Sequence, residues 1–460
     1  MRTTACCSYY NSAVSDLLDD ASGRARRYLA ALDSRAVAPS PGALAALARF
    51  DGPLPERASS PGEVLAELDE LGSPATVASA GRRYFGFVTG GSLPVTVAAS
   101  WLASAWDQNA GLVACSPIGA KLEQVALDWL KDLFHLPRDS GGGFVTSATA
   151  ANFSALAAAR HALLARAGWD VEAQGLFGAP PITVVVGEEV HASVQKALSM
   201  LGLGRERVAR VPCDAQGRML REKMPPITER TIVCLQAGNV NTGAFDPVAE
   251  ICEHVRRDGA WVHVDGAFGL WAAAAPARAH LASGIENADS WATDAHKWLN
   301  VPYDSGLVLT RHADSLRAAL SVGAAYLAQG EARIPYQYTP DFSRRARGVE
   351  VWAALRQLGR AGLEDLIERT CRLAEAFAAG LSRKGFPVLN DVVLNQVLVS
   401  FGSPERTREV IARVQSEGTC WCGGTIWQGH TAMRISVSSW ATTEADVDRS
   451  LAAIVRAAEA

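Results

Sequence analysis

Three apolar runs constrain the fold of this chain more than any other feature. "ITVVVG" (182–187), "TIVCLQAG" (231–238) and "AWVHVDGAFG" (260–269) are short, rich in β-branched residues and nearly free of polar alternation. A strand with one wet face alternates apolar and polar residues, so runs like these suit strands covered on both faces. Helical patterns follow the first two, at "HASVQKALSML" and "PVAEICEHVRRDG". Alternation of this kind predicts a mainly parallel sheet with right-handed crossovers, an α/β architecture.

The chain has 460 residues, 48% of them hydrophobic, enough for more than one lobe. Residues 1–80 read as a helical arm, with helical spacing in "VSDLLDDASGRARRYLAAL" and "PGEVLAELDELG" and too little core to stand alone. Residues 81–345 carry the strand and helix alternation and form the large domain. Residues 346–460 read as a smaller α+β domain: a long helical stretch, strands at "NQVLVSF" and "AMRISVS", and a terminal helix opened by the threonines and acids of "TTEADVDRSLAAIVRAA".

A net charge of -4, a pI near 6.2 and scattered Lys and Arg argue against a nucleic-acid surface and favour a small polar ligand. No stretch reaches the roughly 20 apolar residues that cross a bilayer; even "GLWAAAAPARAHLA" is broken by proline, arginine and histidine. The N-terminal "MRTTACCSYYNSAVSDLLDD" lacks the apolar core of a leader, so a cytoplasmic location is expected. Nine irregularly spaced cysteines suit reduced thiols. Cys6, Cys7, Cys420 and Cys422 lack the second pair that a zinc site needs nearby, and no metal is expected.

In open α/β sheets ligands gather beyond the carboxyl ends of the strands. Four places there hold chemistry. In "GGGFVTSATAANFSAL" (141–156) a short strand leads to Ser147, Ala148 and Thr149 at a helix start, where hydroxyls, backbone N–H groups and the helix dipole suit a phosphate; a plain helix cap is the alternative. His191, after "ITVVVG", suits stacking on a flat ring or moving a proton, or simply opens a helix. Asp265 ends an apolar strand, where a carboxylate calls for a cationic partner such as a protonated heterocyclic nitrogen; a buried hydrogen bond to backbone or a salt bridge is the alternative. Lys297, in "TDAHKWLN", sits among apolar and aromatic residues that disfavour its charged form, which makes its amine a nucleophile able to form a Schiff base. Each alone has an ordinary structural alternative. Together, phosphate cradle, stacking histidine, carboxylate and amine are what a pyridoxal phosphate site requires.

At these blocks the chain resembles the group II pyridoxal-phosphate-dependent amino acid decarboxylases, of the aromatic-amino-acid, glutamate and diaminobutyrate type. "HVDGAFG" followed by "ATDAHKWLNVPYDSG" (292–306) carries the resemblance, and "YFGFVTGGSLP", "SPIGAKLEQVALDWL", "NTGAFDPVAEI" and "AMRISVSSWATTEADVDRS" extend it to the C-terminus. It implies an aspartate-aminotransferase-like fold (fold type I) with a seven-stranded type of sheet, and a homodimer with the active site at the subunit interface. It implies Lys297 as the Schiff-base residue, Asp265 at the pyridinium nitrogen, and His191 and Ala267 on opposite ring faces. Ser147, Ala148 and Thr149 fall at the phosphate, with His296 and Asn300 flanking the lysine. Many relatives carry an acidic residue where Ala150 stands.

The family's catalytic loop supplies a tyrosine that protonates the substrate carbon after carbon dioxide leaves. The matching stretch is "GEARIPYQYTPDFSRR" (330–345), where Tyr338 is the first choice and Tyr336 the reserve. His191 is a second candidate for that proton. Tyr84, Phe85, Phe87, Trp101 and Trp106 are expected to form an apolar mouth for an aromatic or bulky substrate, unless they pack in the core. Three rivals to decarboxylation stay open: an aldehyde synthase, an aminotransferase, for which Arg434 offers a carboxylate partner, and a non-catalytic scaffold.

Overall fold

The computed structural model describes residues 3–321 and 333–460. Its large sheet has seven strands: β1 (Gly141–Val145), β2 (Thr183–Gly187), β3 (Val208–Val211), β4 (Thr231–Gln236), β5 (Trp261–Asp265), β6 (Ser290–Asp294) and β7 (Gly306–Thr310), in the order β1-β7-β6-β5-β4-β2-β3. Only β7 runs against its neighbours. The other six therefore end along one edge, and the segments after β1, β2, β5 and β6 carry Ser147, His191, Asp265 and Lys297 there.

Both faces of the sheet are covered, as the apolar runs require. Along β5, Val262 and Val264 face one core, built with the helices Pro117–Leu133, Val248–Arg256 and Gly348–Arg383. Trp261 faces the other, under the helices Ala148–Arg166, Ala192–Met200 and Ala313–Leu320, and the two-residue strand period puts His263 and Asp265 on that side too. Burying each valine side chain stabilises the fold by about 1.5–3 kcal/mol. Alanines of Ala148–Arg166 (Ala151, Ala155, Ala157, Ala158, Ala159) are 0–2% exposed, so that helix approaches the sheet closely.

A three-stranded antiparallel sheet lies nearer the C-terminus: β8 (Gln396–Val399), β9 (Gly423–Trp427) and β10 (His430–Ser436), in the order β8-β10-β9. The helices Pro404–Glu417 and Glu444–Glu459 pack with it, the latter opened by a Thr443/Asp446 capping box. The long helix Gly348–Arg383 breaks at Gly359, whose φ of 59° and ψ of -171° suit glycine alone. Near the N-terminus a helix spans Thr3–Ala31 and another Pro61–Glu67. Among the described residues no helix is long and apolar enough to cross a membrane.

Several expected site residues have other positions. Phe85 is 1% exposed and packs edge-on against Phe377 in the core of the small sheet, so it lines no mouth. Tyr338 lies at the amino-terminal end of β1, the edge remote from Lys297. There Gly141 and Gly143 leave the strand surface bare, and the tyrosine covers it with the Arg333 guanidinium 4.6 Å above its ring. Tyr336 packs on Phe342 at 4.6 Å and donates its backbone N–H to the Gly111 carbonyl. Both tyrosines are less than a tenth exposed. Residues 330–332 of the expected catalytic loop lie outside the described residues.

Candidate active site

The parallel register of β5 and β6 brings the two acidic strand ends together. Asp265 closes β5 and Asp294 closes β6, and the Asp294 N–H donates to the Ala267 carbonyl at 2.9 Å. Lys297 follows in a tight turn. Trp298, fully buried, anchors that turn by donating its indole N–H to Thr370 at 2.9 Å. Asn300, at φ 58°, donates to the carbonyls of Trp298 and Ser438 and accepts from the Trp440 N–H. Its side chain is thereby spent on the turn and on the segment at Ser438 and Trp440.

Lys297 Nζ sits 2.9 Å from Asp294 Oδ2, with 18% of the lysine side chain exposed. Burial alone would lower the lysine pKa, but the charge and hydrogen bond of Asp294, with Asp265 beyond, leave it raised. The sequence suggested the opposite sign, because apolar neighbours were visible and the ion pair was not. Asp294 is a residue that sequence reasoning missed. Its other oxygen accepts the Ala148 N–H at 2.6 Å, tying the lysine turn to the start of helix Ala148–Arg166.

Ser147 caps that helix, accepting from the Ala150 N–H at 3.4 Å. A Cβ on Gly306 would lie 2.5 Å from the Ser147 carbonyl carbon, so only glycine lets β7 pass so close. His296 is 5% exposed; its Nδ1 accepts from the Ser305 N–H at 3.0 Å and its ring stacks on Tyr303 at 4.2 Å. The Ser305 hydroxyl is buried without a partner among the described residues.

His191 caps the next helix, its Nδ1 accepting from the Ser193 N–H at 3.2 Å, which leaves the proton on Nε2. Burial lowers its pKa, while the charges of Asp265, Lys297, Arg434 and Asp294 all reach it, so these groups converge on one space. Asp265 is 4% exposed. Its Oδ2 accepts from Asn152 at 2.9 Å and lies 3.2 Å from Ser193 Oγ, whose hydroxyl proton points to His191 Nδ1 at 2.7 Å, and its Oδ1 accepts from the Ala267 N–H at 3.2 Å.

Arg434 donates to the Val240 carbonyl at 3.3 Å and, among the described residues, has no carboxylate partner; burial lowers its pKa. Its charge reaches Tyr84, whose hydroxyl is pushed up to about 12 chiefly by burial. Tyr84 and Phe87 both stack on Trp421, at 5.1 and 5.6 Å, and Phe87 is 64% exposed. Trp421, like Asp294, was not singled out from sequence. Trp101 and Trp106 lie on the helix Pro94–Trp106, 45% and 41% exposed.

The donor set fits pyridoxal phosphate. A helix N-terminus bordered by small residues suits the phosphate, a lysine can link to the aldehyde, and a buried carboxylate can face the ring nitrogen. Comparison with known proteins agrees. Residues 46–402 match the family model described as pyridoxal-dependent decarboxylase conserved domain. The chain is 28% identical over 350 residues to an aromatic-L-amino-acid decarboxylase of Bacillus atrophaeus, covering 72% of this chain and 69% of that protein. It is 27% identical over 362 residues to a phenylacetaldehyde synthase of Arabidopsis thaliana, covering 72% of each. The solved structure of Oryza sativa TDC with PLP and tryptamine shares the fold, with a TM-score of 0.88 at 24% identity over 97% of both chains. With more than half of its length matched, the chain belongs to the pyridoxal-dependent decarboxylase family and is a pyridoxal-phosphate-dependent carboxy-lyase.

Proposed function

We propose that the protein decarboxylates an aromatic L-amino acid to the amine and carbon dioxide, working as a cytoplasmic homodimer. One observation carries the substrate class: Arg434, a mostly buried cation with no carboxylate partner among the described residues, adjoins the stacked rings of Tyr84, Trp421 and Phe87. A carboxylate and an aromatic side chain on one small molecule complement that pair. The named relatives act in the same direction, on aromatic amino acids or towards an aromatic aldehyde.

In this reading Lys297 would hold the cofactor through its amine. Asp265 would partner the ring nitrogen, His191 and Ala267 would flank the ring, and Ser147, Ala148 and Thr149 would hold the phosphate, with His296 beside the lysine. Bound pyridoxal phosphate supplies an electron-accepting ring for the pair released as carbon dioxide leaves. Arg434 orients the substrate so that its carboxylate bond is the one that breaks. The proton that replaces carbon dioxide comes from His191 Nε2, since Tyr338 sits at the far edge of the sheet. Trp101, Leu102 and Trp106, with Val113 and Ile118, are all at least 41% exposed and give the homodimer an apolar surface. Cys115, Cys213, Cys234, Cys252, Cys371, Cys420 and Cys422 are free thiols, in keeping with the cytoplasm.

A panel of L-amino acids, assayed for amine, aldehyde, keto acid and carbon dioxide, tests this. Amine and carbon dioxide from an aromatic substrate, with kcat/KM falling about 30-fold or more in Arg434→Gln, is the expected result. Aldehyde with peroxide would favour the aldehyde synthase reading, which the burial of both described loop tyrosines keeps open. Keto acid without carbon dioxide would overturn both.

A further inference from the structure

Behind Asp265, on the side away from the lysine turn, runs a buried chain of hydrogen bonds that no step above uses. Asp265 as a carboxylate can only accept, so the Asn152 amide must turn its NH2 towards it; that nitrogen reaches Asp265 Oδ2 at 2.9 Å and Ser193 Oγ at 3.1 Å. The Asn152 carbonyl oxygen then faces His263 Nε2 at 2.8 Å, which fixes the proton on Nε2. His263 Nδ1, left bare, accepts from Ser290 Oγ at 2.9 Å. Ser290 can give its proton to the histidine because the Trp261 indole N–H, a donor only, supplies it at 2.9 Å. Every bond in the series points its proton towards Asp265. Trp261 is 2% exposed, and Asn152, His263 and Ser290 are fully buried.

The register explains how these residues meet. Trp261, His263 and Asp265 alternate along β5 and share the face under helix Ala148–Arg166, which carries Asn152; β6 begins at Ser290, paired with His263. A histidine and an asparagine in so apolar a layer cost stability unless each polar atom is satisfied, and here each is. Burial also holds His263 neutral at physiological pH, its pKa pushed down to about 4.

We propose that Asn152, His263 and Ser290 are positioning residues that hold the Asp265 carboxylate in place, with Oδ1 presented to the cofactor's ring nitrogen, and so keep the proton on that nitrogen. Asn152 holds Oδ2 at 2.9 Å and the Ala267 N–H holds Oδ1 at 3.2 Å, so the carboxylate cannot turn without breaking a bond on each side. Remove the chain and the carboxylate is free to turn away from the ring nitrogen, which then holds its proton less well and pulls less on the electrons that carbon dioxide leaves behind. The inference rests on the assignment of Asp265 to the ring nitrogen.

The test uses holoenzyme loaded with pyridoxal phosphate isotopically labelled at the ring nitrogen, whose NMR signal distinguishes protonated from neutral nitrogen. Asn152→Ala, His263→Leu and Ser290→Ala are expected to move the signal towards the neutral form. Each should lower kcat about tenfold while KM stays within about twofold. His263→Gln keeps a donor towards Asn152 and should stay near wild type in both readouts. Ser290→Ala removes a single hydroxyl, frees the histidine to change tautomer, and decides the matter should His263→Leu fail to fold. A wild-type signal and wild-type kcat in the folded variants would reduce the chain to core packing and overturn the proposal. A signal that Asp265→Asn also leaves unmoved would instead overturn the assignment of Asp265.

Discussion

Asp294 joins two parts of the site at once: one oxygen is 2.9 Å from Lys297 Nζ, the other accepts the Ala148 N–H at 2.6 Å. The lysine is thereby held as an ammonium, and only a neutral amine attacks the cofactor's aldehyde. Asp294→Asn keeps an acceptor for Ala148 but removes the charge that raises the lysine pKa. The rate at which apoprotein takes up pyridoxal phosphate, followed by visible absorbance across pH, should therefore shift its profile to lower pH. An unchanged profile would mean that the ion pair does not control the amine.

The strand ends, Lys297, Asp265 and His191 were all legible in the sequence, because apolar runs mark buried strands and polar groups just beyond them stand out. The role of Asp294 was not, although it is three residues from the lysine, since only the turn through His296 aims both side chains at each other. The packing of Tyr338 was hidden for a related reason. Its position after the loop suggested chemistry, while the glycines of β1 that receive it lie almost 200 residues earlier and give no local sign. The polar chain behind Asp265 left one trace, a histidine in an otherwise apolar strand, but its partner Asn152 is 111 residues away.

If Tyr338 is a packing residue, Tyr338→Phe should leave kcat within about twofold and the product unchanged, because the ring still covers β1 and only a hydroxyl is lost. Tyr338→Ala should lower stability by about 3–5 kcal/mol, measured by urea unfolding, as a large buried ring is removed. A new aldehyde product from Tyr338→Phe would return the tyrosine to the chemistry.

Gly90 supports the lysine turn from outside it. A Cβ there would collide with the Lys297 carbonyl oxygen and lie 2.8 Å from Asn300 Nδ2, and neither can retreat, since Asn300 is bonded on both sides. Gly90→Ala should therefore displace the lysine, weakening pyridoxal phosphate binding, and cost about 1–3 kcal/mol of stability. Equilibrium dialysis and thermal melts check the two effects separately. Wild-type cofactor affinity would show that the turn adapts.

His263 makes the apoprotein's stability depend on pH. Burial lowers its pKa from 6.5 to about 4, so the unfolded chain binds this proton more readily than the folded one. The contribution is fully present above pH 6.5 and is lost as pH falls towards 4, a total of about 3 kcal/mol at about 1.4 kcal/mol per pH unit. Asp246 acts in the opposite sense. Burial raises its carboxyl to about 6 against the N–H groups of Met219 and Gln236, so its folded form gains on acidification. The total curve mixes the two, and the informative quantity is a difference. Urea unfolding of wild type and His263→Gln between pH 4 and 7 should show a shallower fall on the acid side in the variant, since Asp246 is common to both. Parallel curves would mean that His263 titrates alike in the folded and unfolded chains.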